Sequence, residues 1–196
     1  MAVKGRREEY AETTRAAIVA AAIERFTVDG FAKTSIDAVA ESARVSKGAV
    51  YHHFADKSEL FEATFIVMEE RLLAKVIVGV TGIADPWGIV RAGVDTFLTE
   101  CGHPDFRRIA LEEAPAALGW TRWKELEENY FLGLVTASLQ GLAQDGLIDI
   151  PSDDLTARMF LAATSEAGLA VGAAANPDEE RERAGRLVMR FLEGLR

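Results

Sequence analysis

Residues 13–29 read TTRAAIVAAAIERFTVD, and their apolar side chains fall in two rows, Ile18, Ala22 and Phe26 beside Val19 and Ile23. A spacing of four marks an amphipathic helix. Gly30 follows where a helix stop needs a residue that accepts the left-handed conformation. A second helix is expected to open at Thr34, three residues before Asp37 in a variant of the capping box, with Ile36, Val39, Ala40 and Ala43 on one stripe. The pattern breaks at Arg44 and Val45 and restarts at Ser46, a good N-cap. From there Val50 and Phe54 face inward, while Lys47 with Tyr51, and Gly48 with His52, lie four apart on the opposite side. Asp56, three residues before Glu59, marks the start of a fourth helix.

The remaining chain is punctuated by all five prolines, at positions 86, 104, 115, 151 and 177. Helices are expected near 57–82, 86–101, 104–118, 121–145, 153–174 and 178–194. The stretches PSDDL and NPDEE each place acids in a first helical turn, where the helix dipole favours them. No alternating strand pattern, repeat or low-complexity linker interrupts this reading. The fold class is therefore all-α, with an N-terminal three-helix head and a larger C-terminal helical body.

Composition narrows the class. The chain has 196 residues, 49% of them hydrophobic, enough to bury a substantial core. The single cysteine, Cys101, excludes an intramolecular disulfide and suits a reducing compartment, where it reads as a small buried hydrophobe. The N-terminus lacks an apolar run, and residues 159–175 carry Thr164, Ser165 and Glu166, which argues against a membrane span. A soluble cytoplasmic protein is expected. The net charge of −9 looks wrong for a nucleic-acid binder, yet residues 1–60 hold nine basic against nine acidic residues. Residues 61–196 hold thirteen against twenty-two and supply the whole excess. A neutral head with positive charge on one face can still approach phosphate.

Two short helices joined by a turn of about three residues, with a third to pack on, form a helix-turn-helix, and VSKGAVYHHF would supply its second, reading helix. Ser46 and the free amides of the helix start can hold a phosphate. Lys47 can reach guanine O6 or N7 in the major groove. Gly48 lets the backbone come close to DNA. Tyr51 offers a hydroxyl, His52 and His53 can donate to phosphate or stack on sugar, and Lys57 is a point charge for the backbone. A metal site is disfavoured, because adjacent histidines on a helix diverge by about 100 degrees. Catalysis lacks an oriented base, since the one other histidine, His103, has no recognisable partner. An ordinary buried helix pair stays open on pattern alone.

Residues 30–61, GFAKTSIDAVAESARVSKGAVYHHFADKSELF, resemble the DNA-binding region of the tetracycline-repressor (TetR) family of one-component regulators. The resemblance lies in Gly30-Phe31, the Ile36 to Ala40 run, Val45-Ser46, Gly48, Tyr51, His53-Phe54 and Lys57. Extended through the first helix and into the fourth, it implies a DNA-binding domain over 11–71 and a ligand-binding and dimerisation domain over 72–196. It further implies a homodimer on a palindromic operator, released by a small-molecule effector and most often a repressor. No enzyme activity, cofactor or metal is implied. Ser35, Arg44, Ser46, Lys47, Gly48, Ala49, Tyr51, His52, His53 and Lys57 fall where family members touch DNA. Two departures stand out. Arg44 occupies the turn position that is most often glycine, at a cost of about 1 kcal/mol if left-handed, with its guanidinium free to serve as a phosphate contact. Ala49 replaces a common Thr or Ser, losing a hydroxyl but able to meet a thymine methyl.

In the body, residues 112–134 also resemble a segment of one broad branch of these regulators. Met68, Phe97, Phe106, Trp120, Trp123, Phe131 and Met159 are candidates to line a ligand cavity, against the alternative of ordinary core. The last two helices are candidates for a dimer face. Ala162, Ala163, Ala167, Gly168, Ala170 and Gly172 offer a small-residue surface, and Leu187, Val188, Phe191, Leu192 and Leu195 an apolar stripe; intramolecular core is the alternative. A helical small-molecule or lipid carrier that has lost DNA affinity, or an enzyme, are the competing functions.

Overall fold

The computed structural model describes residues 5–149 and 154–194, and among these it holds nine helices and no strand. Pro151 and Leu195, and the PSD of the PSDDL stretch, lie outside the described residues. Helix α1 spans Arg6–Lys33 and begins well before the apolar pattern does. Its first turns, RREEYAE, consist largely of good helix formers, and residues 8–12 bury no side chain. Glu8 and Glu9 sit in the first turn, and the Thr13 and Thr14 hydroxyls donate back to the Glu9 and Tyr10 carbonyls at 2.8 and 2.9 Å. Gly30 breaks the helix as expected, at φ 78° and ψ 167°. The short α2 (Ile36–Ser42) and α3 (Lys47–His53) pack on α1 through Ile18, Ala22, Phe26, Val39, Val50 and Phe54, none more than 2% exposed. Phe61 joins them, edge-on to Phe26 and Phe31 with both ring separations at 5.1 Å. Burying each of the larger of these side chains contributes roughly 1.5–3 kcal/mol.

Helix α4, Lys57–Val80, belongs to both halves. Asp56 caps it, accepting from the Glu59 amide at 2.9 Å, and the Glu59 carboxylate accepts from the Ala55 amide at 2.6 Å. Its first turns bury Leu60 and Phe61 in the head, and its later turns bury Met68, Leu72 and Val76 in the body. Twenty-four residues at about 1.5 Å each make a rod of about 36 Å. It runs through residues 71 and 72 without a break.

The body continues with α5 (Pro86–Cys101), α6 (104–118), α7 (Trp120–Gln144), α8 (Asp154–Ala173) and α9 (Pro177–Glu193). Asp85 and Asn176 cap α5 and α9 ahead of a proline at the first position. The middle of α6, Arg107–Glu113, is π-helical. Pro115 has no amide hydrogen for the Leu111 carbonyl, and the widened turn before it takes up the mismatch. This segment meets the head. A methyl on Gly30 would lie 2.5 Å from Arg108 Nη2 and 2.6 Å from Glu113 Oε1, and those two side chains pair at 2.9 Å.

Candidate nucleic-acid interface

The turn between α2 and α3 is built from caps. Ser35, not Thr34, caps α2, its Oγ accepting from the Ala38 amide at 3.1 Å. The Thr34 hydroxyl points back instead and donates to the Gly30 carbonyl at 2.8 Å, closing α1. The capping-box spacing from Thr34 to Asp37 is thus misread by one residue. At the other end of α2 the chain reverses through Arg44 at φ 57°, and the Val45 amide closes onto the Ala40 carbonyl at 3.0 Å. An arginine therefore holds the left-handed conformation that glycine adopts at no steric cost. Ser46 then caps α3, accepting from the Ala49 amide at 3.1 Å.

Helix α3 divides cleanly. Val50 and Phe54 are buried; Ser46, Lys47, Gly48, Tyr51 and His52 are exposed; Ala49 and His53 are half-buried. Ser35 and Arg44 are also exposed. Lys47 Nζ donates to Asp37 Oδ2 at 2.8 Å, which draws the start of α2 and the start of α3 onto one surface. A Cβ built on Gly48 meets nothing closer than the Ser46 hydroxyl at 3.8 Å. No internal contact forbids a side chain there. Arg15 of α1 lies 5.0 Å from the Phe54 ring centre. Burial, then the charges of His52 and Arg15, holds the His53 imidazole below its ordinary range and favours its neutral form.

Lys57 departs from expectation. Its ammonium donates to the carbonyls of Phe31, Ala32 and Thr34 at 2.8, 3.3 and 3.1 Å and stands 4.5 Å from the Phe31 ring centre. All three of its hydrogens close the end of α1. It is a brace within the head rather than a free point charge.

Two residues escaped the sequence reading. Asp37 was assigned to a cap, and only the neighbouring helix reveals it as the partner of Lys47. Glu69, 4% exposed inside α4, carries no sequence signal because one acid in an apolar stripe looks like a solvated position.

The body encloses a cavity of about 110 Å³ between α4, α5, α6, α7 and α8. Phe97, Phe106, Trp123 and Phe131 line it as expected. Met68 does not; it is core, beside a separate cleft with Lys75 and Glu100. Trp120, 67% exposed, and Met159, 53% exposed, lie on the outside. The last two helices also differ in detail. Val188 is buried within the chain, and Gly168 lets α5 approach so closely that a methyl there would meet Cys101 Sγ at 2.7 Å. Ala163 and Ala167 are half-buried and Ala170 is exposed. The expected Leu187 and Phe191 are exposed, and Leu155, Met159 and Leu169 add further exposed apolar side chains on these two helices. Among the described residues no group of three or more His, Cys, Asp or Glu is placed to hold a metal ion, and no helix is long and apolar enough to cross a membrane.

The chain is similar to two family models: one described as bacterial regulatory proteins, tetR family, over residues 18–64, and one as tetracyclin repressor-like, C-terminal domain, over residues 87–195. Among curated proteins it is 24% identical over 156 residues to the transposon Tn10 TetC protein of Escherichia coli, covering 78% of this chain and 77% of that one. It is 38% identical over 73 residues to the HTH-type transcriptional regulator UidR of Escherichia coli K12, covering 37% of each. A solved TetR-family transcriptional regulator from Pectobacterium atrosepticum superposes with a TM-score of 0.83 at 23% identity, over 98% of this chain and 97% of that one.

Proposed function

The chain belongs to the tetracycline-repressor family of DNA-binding transcriptional regulators, and on that premise we propose that it is a repressor that binds a palindromic operator as a homodimer and lets go when a small molecule fills its body cavity. The observation that carries this reading is the outer face of α3, where Lys47, Tyr51 and His52 stand exposed around a glycine that nothing in the protein requires. The head is residues 11–71 and the body 72–196, with α4 as the rod common to both. Lys47 reads a base edge near the helix start, and Ala49 packs on a thymine methyl. Ser35, Arg44, Ser46, Tyr51, His52 and His53 meet phosphate and sugar. Lys57 positions rather than touches.

A second copy covers the apolar stripe of Leu155, Met159, Leu169, Leu187 and Phe191. That pairing sets the two reading helices about 34–36 Å apart, one turn of duplex. The Gly30 contact with Arg108 and Glu113 links the head to α6, whose Phe106 and Ala110 also line the cavity. A ligand that shifts α6 thereby re-aims the head, favouring a form whose reading helices no longer fit adjacent grooves. The protein acts in the cytoplasm, with access to DNA, and no catalytic role is assigned.

A band-shift with DNA upstream of its own gene, run across a salt series, tests the reading. The expected result is a discrete complex whose log affinity falls linearly with log salt. Absence of any complex at low salt, with the protein folded, overturns it.

A further inference from the structure

Among the described residues, the carboxyl and hydroxyl groups lining the body cavity have partners, with one exception. Glu127 accepts from the Ser165 hydroxyl and from the Lys124 ammonium. The Thr164 and Ser138 hydroxyls donate to the Phe160 and Leu134 carbonyls at 2.8 and 2.9 Å. Glu69 lines the same cavity from α4, is 4% exposed, and has no hydrogen-bond or ion-pair partner among the described residues. The surrounding wall is apolar, formed by Val76, Phe97, Phe131, Leu139 and Phe160 among others. Two buried carboxyls thus line one cavity, and the nearby Lys124 ammonium pairs with Glu127 alone. Burial, then the nearby Glu127, pushes Glu69 up to about 8, which favours its neutral form near pH 7.

A carboxyl left unpaired in apolar surroundings is costly, and a ligand that pairs with it gains what the empty protein lacks. We infer that the effector is a small apolar base, one aromatic ring or short hydrocarbon body bearing an amine whose N–H groups meet the Glu69 carboxyl. This rests on the reading of the cavity as the effector site. The volume of about 110 Å³ is below the roughly 150 Å³ of an engineered apolar cavity that takes up benzene, which limits the occupant to about one ring or a short chain. At neutral pH such an amine is an ammonium in water. On binding, Glu69 releases its proton to solvent and the ammonium pairs with the carboxylate, so one positive charge enters and one leaves. The titratable groups around Glu69 are Glu127 and Tyr130 from α7 and Cys101 from α5. Glu127 is already neutralised by Lys124, and burial raises both Tyr130 and Cys101. Glu69 is the group that exchanges. A carboxylate ligand of similar size adds a negative charge to the apolar cavity and forms no ion pair with Glu69, so it binds weakest.

Calorimetric titration of the full chain with three eight-carbon probes, 2-phenylethylamine, 2-phenylethanol and phenylacetate, up to millimolar concentration, tests this. The amine is expected to bind about 10- to 100-fold tighter than the alcohol, with the carboxylate weakest. In buffers of different ionisation heat at pH 7, amine binding is expected to release close to one proton. The near-isosteric Glu69→Gln chain should bind amine and alcohol alike and release none. An alcohol or carboxylate that matches or beats the amine on the unaltered chain, or an amine preference that survives in Glu69→Gln, overturns the amine class. If the alcohol also dissociates the DNA complex, the cavity remains the effector site. If no probe binds while DNA binding is intact, both readings fall.

Discussion

Lys47 at the start of α3 donates to Asp37 at the start of α2 across 2.8 Å, with both side chains more than half exposed, at 53% and 66%. An exposed pair of this kind contributes little to stability and is readily exchanged for another partner. The hydrogen bond and charge of Asp37 keep Lys47 firmly protonated. The acid also repels phosphate and restricts where the lysine can reach.

Asp37→Asn is therefore expected to tighten binding to random duplex DNA and to steepen its salt dependence by about one phosphate contact. Lys47→Ala is expected to cost about 1–3 kcal/mol on the operator and to relax preference at one base pair per half-site. Fluorescence anisotropy on operator and random duplexes measures both. An equal loss on the two DNAs for Lys47→Ala would assign the lysine to phosphate.

Gly48 separates stability from binding. Alanine is the better helix former by up to about 1 kcal/mol, and the space beyond the Cα is open. Gly48→Ala is expected to leave Tm unchanged or raise it by about 2–4 °C, while operator affinity falls about tenfold. Unaltered affinity would mean that no backbone comes close to DNA at this point.

Lys57→Met removes a cap of three carbonyls and a cation beside the Phe31 ring. The expected loss is about 1–3 kcal/mol of stability, with the salt slope of DNA binding unchanged. Denaturant unfolding and a salt series check the two halves. A slope lowered by about one with stability intact would return Lys57 to the list of phosphate contacts.

Glu69 binds its proton more tightly in the folded chain than in the unfolded one, its pKa raised from 4.5 to about 8 by burial and Glu127. The stability linked to it is fully present below about pH 4.5 and is lost as pH rises through about 8. Across that window a single such group contributes a slope of about 1.4 kcal/mol per pH unit. Unfolding curves of the unaltered chain are expected to fall more steeply with pH than those of Glu69→Gln. Parallel curves would mean that water or another group satisfies the carboxyl.

Much of this was legible in the sequence because the decisive features are local. Ser46 as a cap, Val50 and Phe54 as the inward pair, Gly30 as a break and the helix bounds of the body all follow from short-range periodicity and cap chemistry. The misses have the opposite character. The start of α1 is polar on every side, so no stripe marks it. Thr34 and Ser35 are both competent caps, and only backbone geometry chooses between them. Lys57 looks like a surface charge until the end of α1 folds back over it. Trp120 and Met159 face outward because helix phase is set by packing of the whole body, which residue type does not record. Glu69 is the clearest case: the cavity that isolates it is assembled from five helices.

Selection of binding sites from random duplex DNA tests the reading helix most directly. The unaltered chain is expected to enrich a palindrome whose half-site centres lie about 10 base pairs apart, and Lys47→Ala to blur one position in each half. Failure to enrich any sequence, or enrichment of the same sequence when Lys47, Tyr51 and His52 are all replaced by alanine, would contradict the assignment of α3 as the surface that reads DNA.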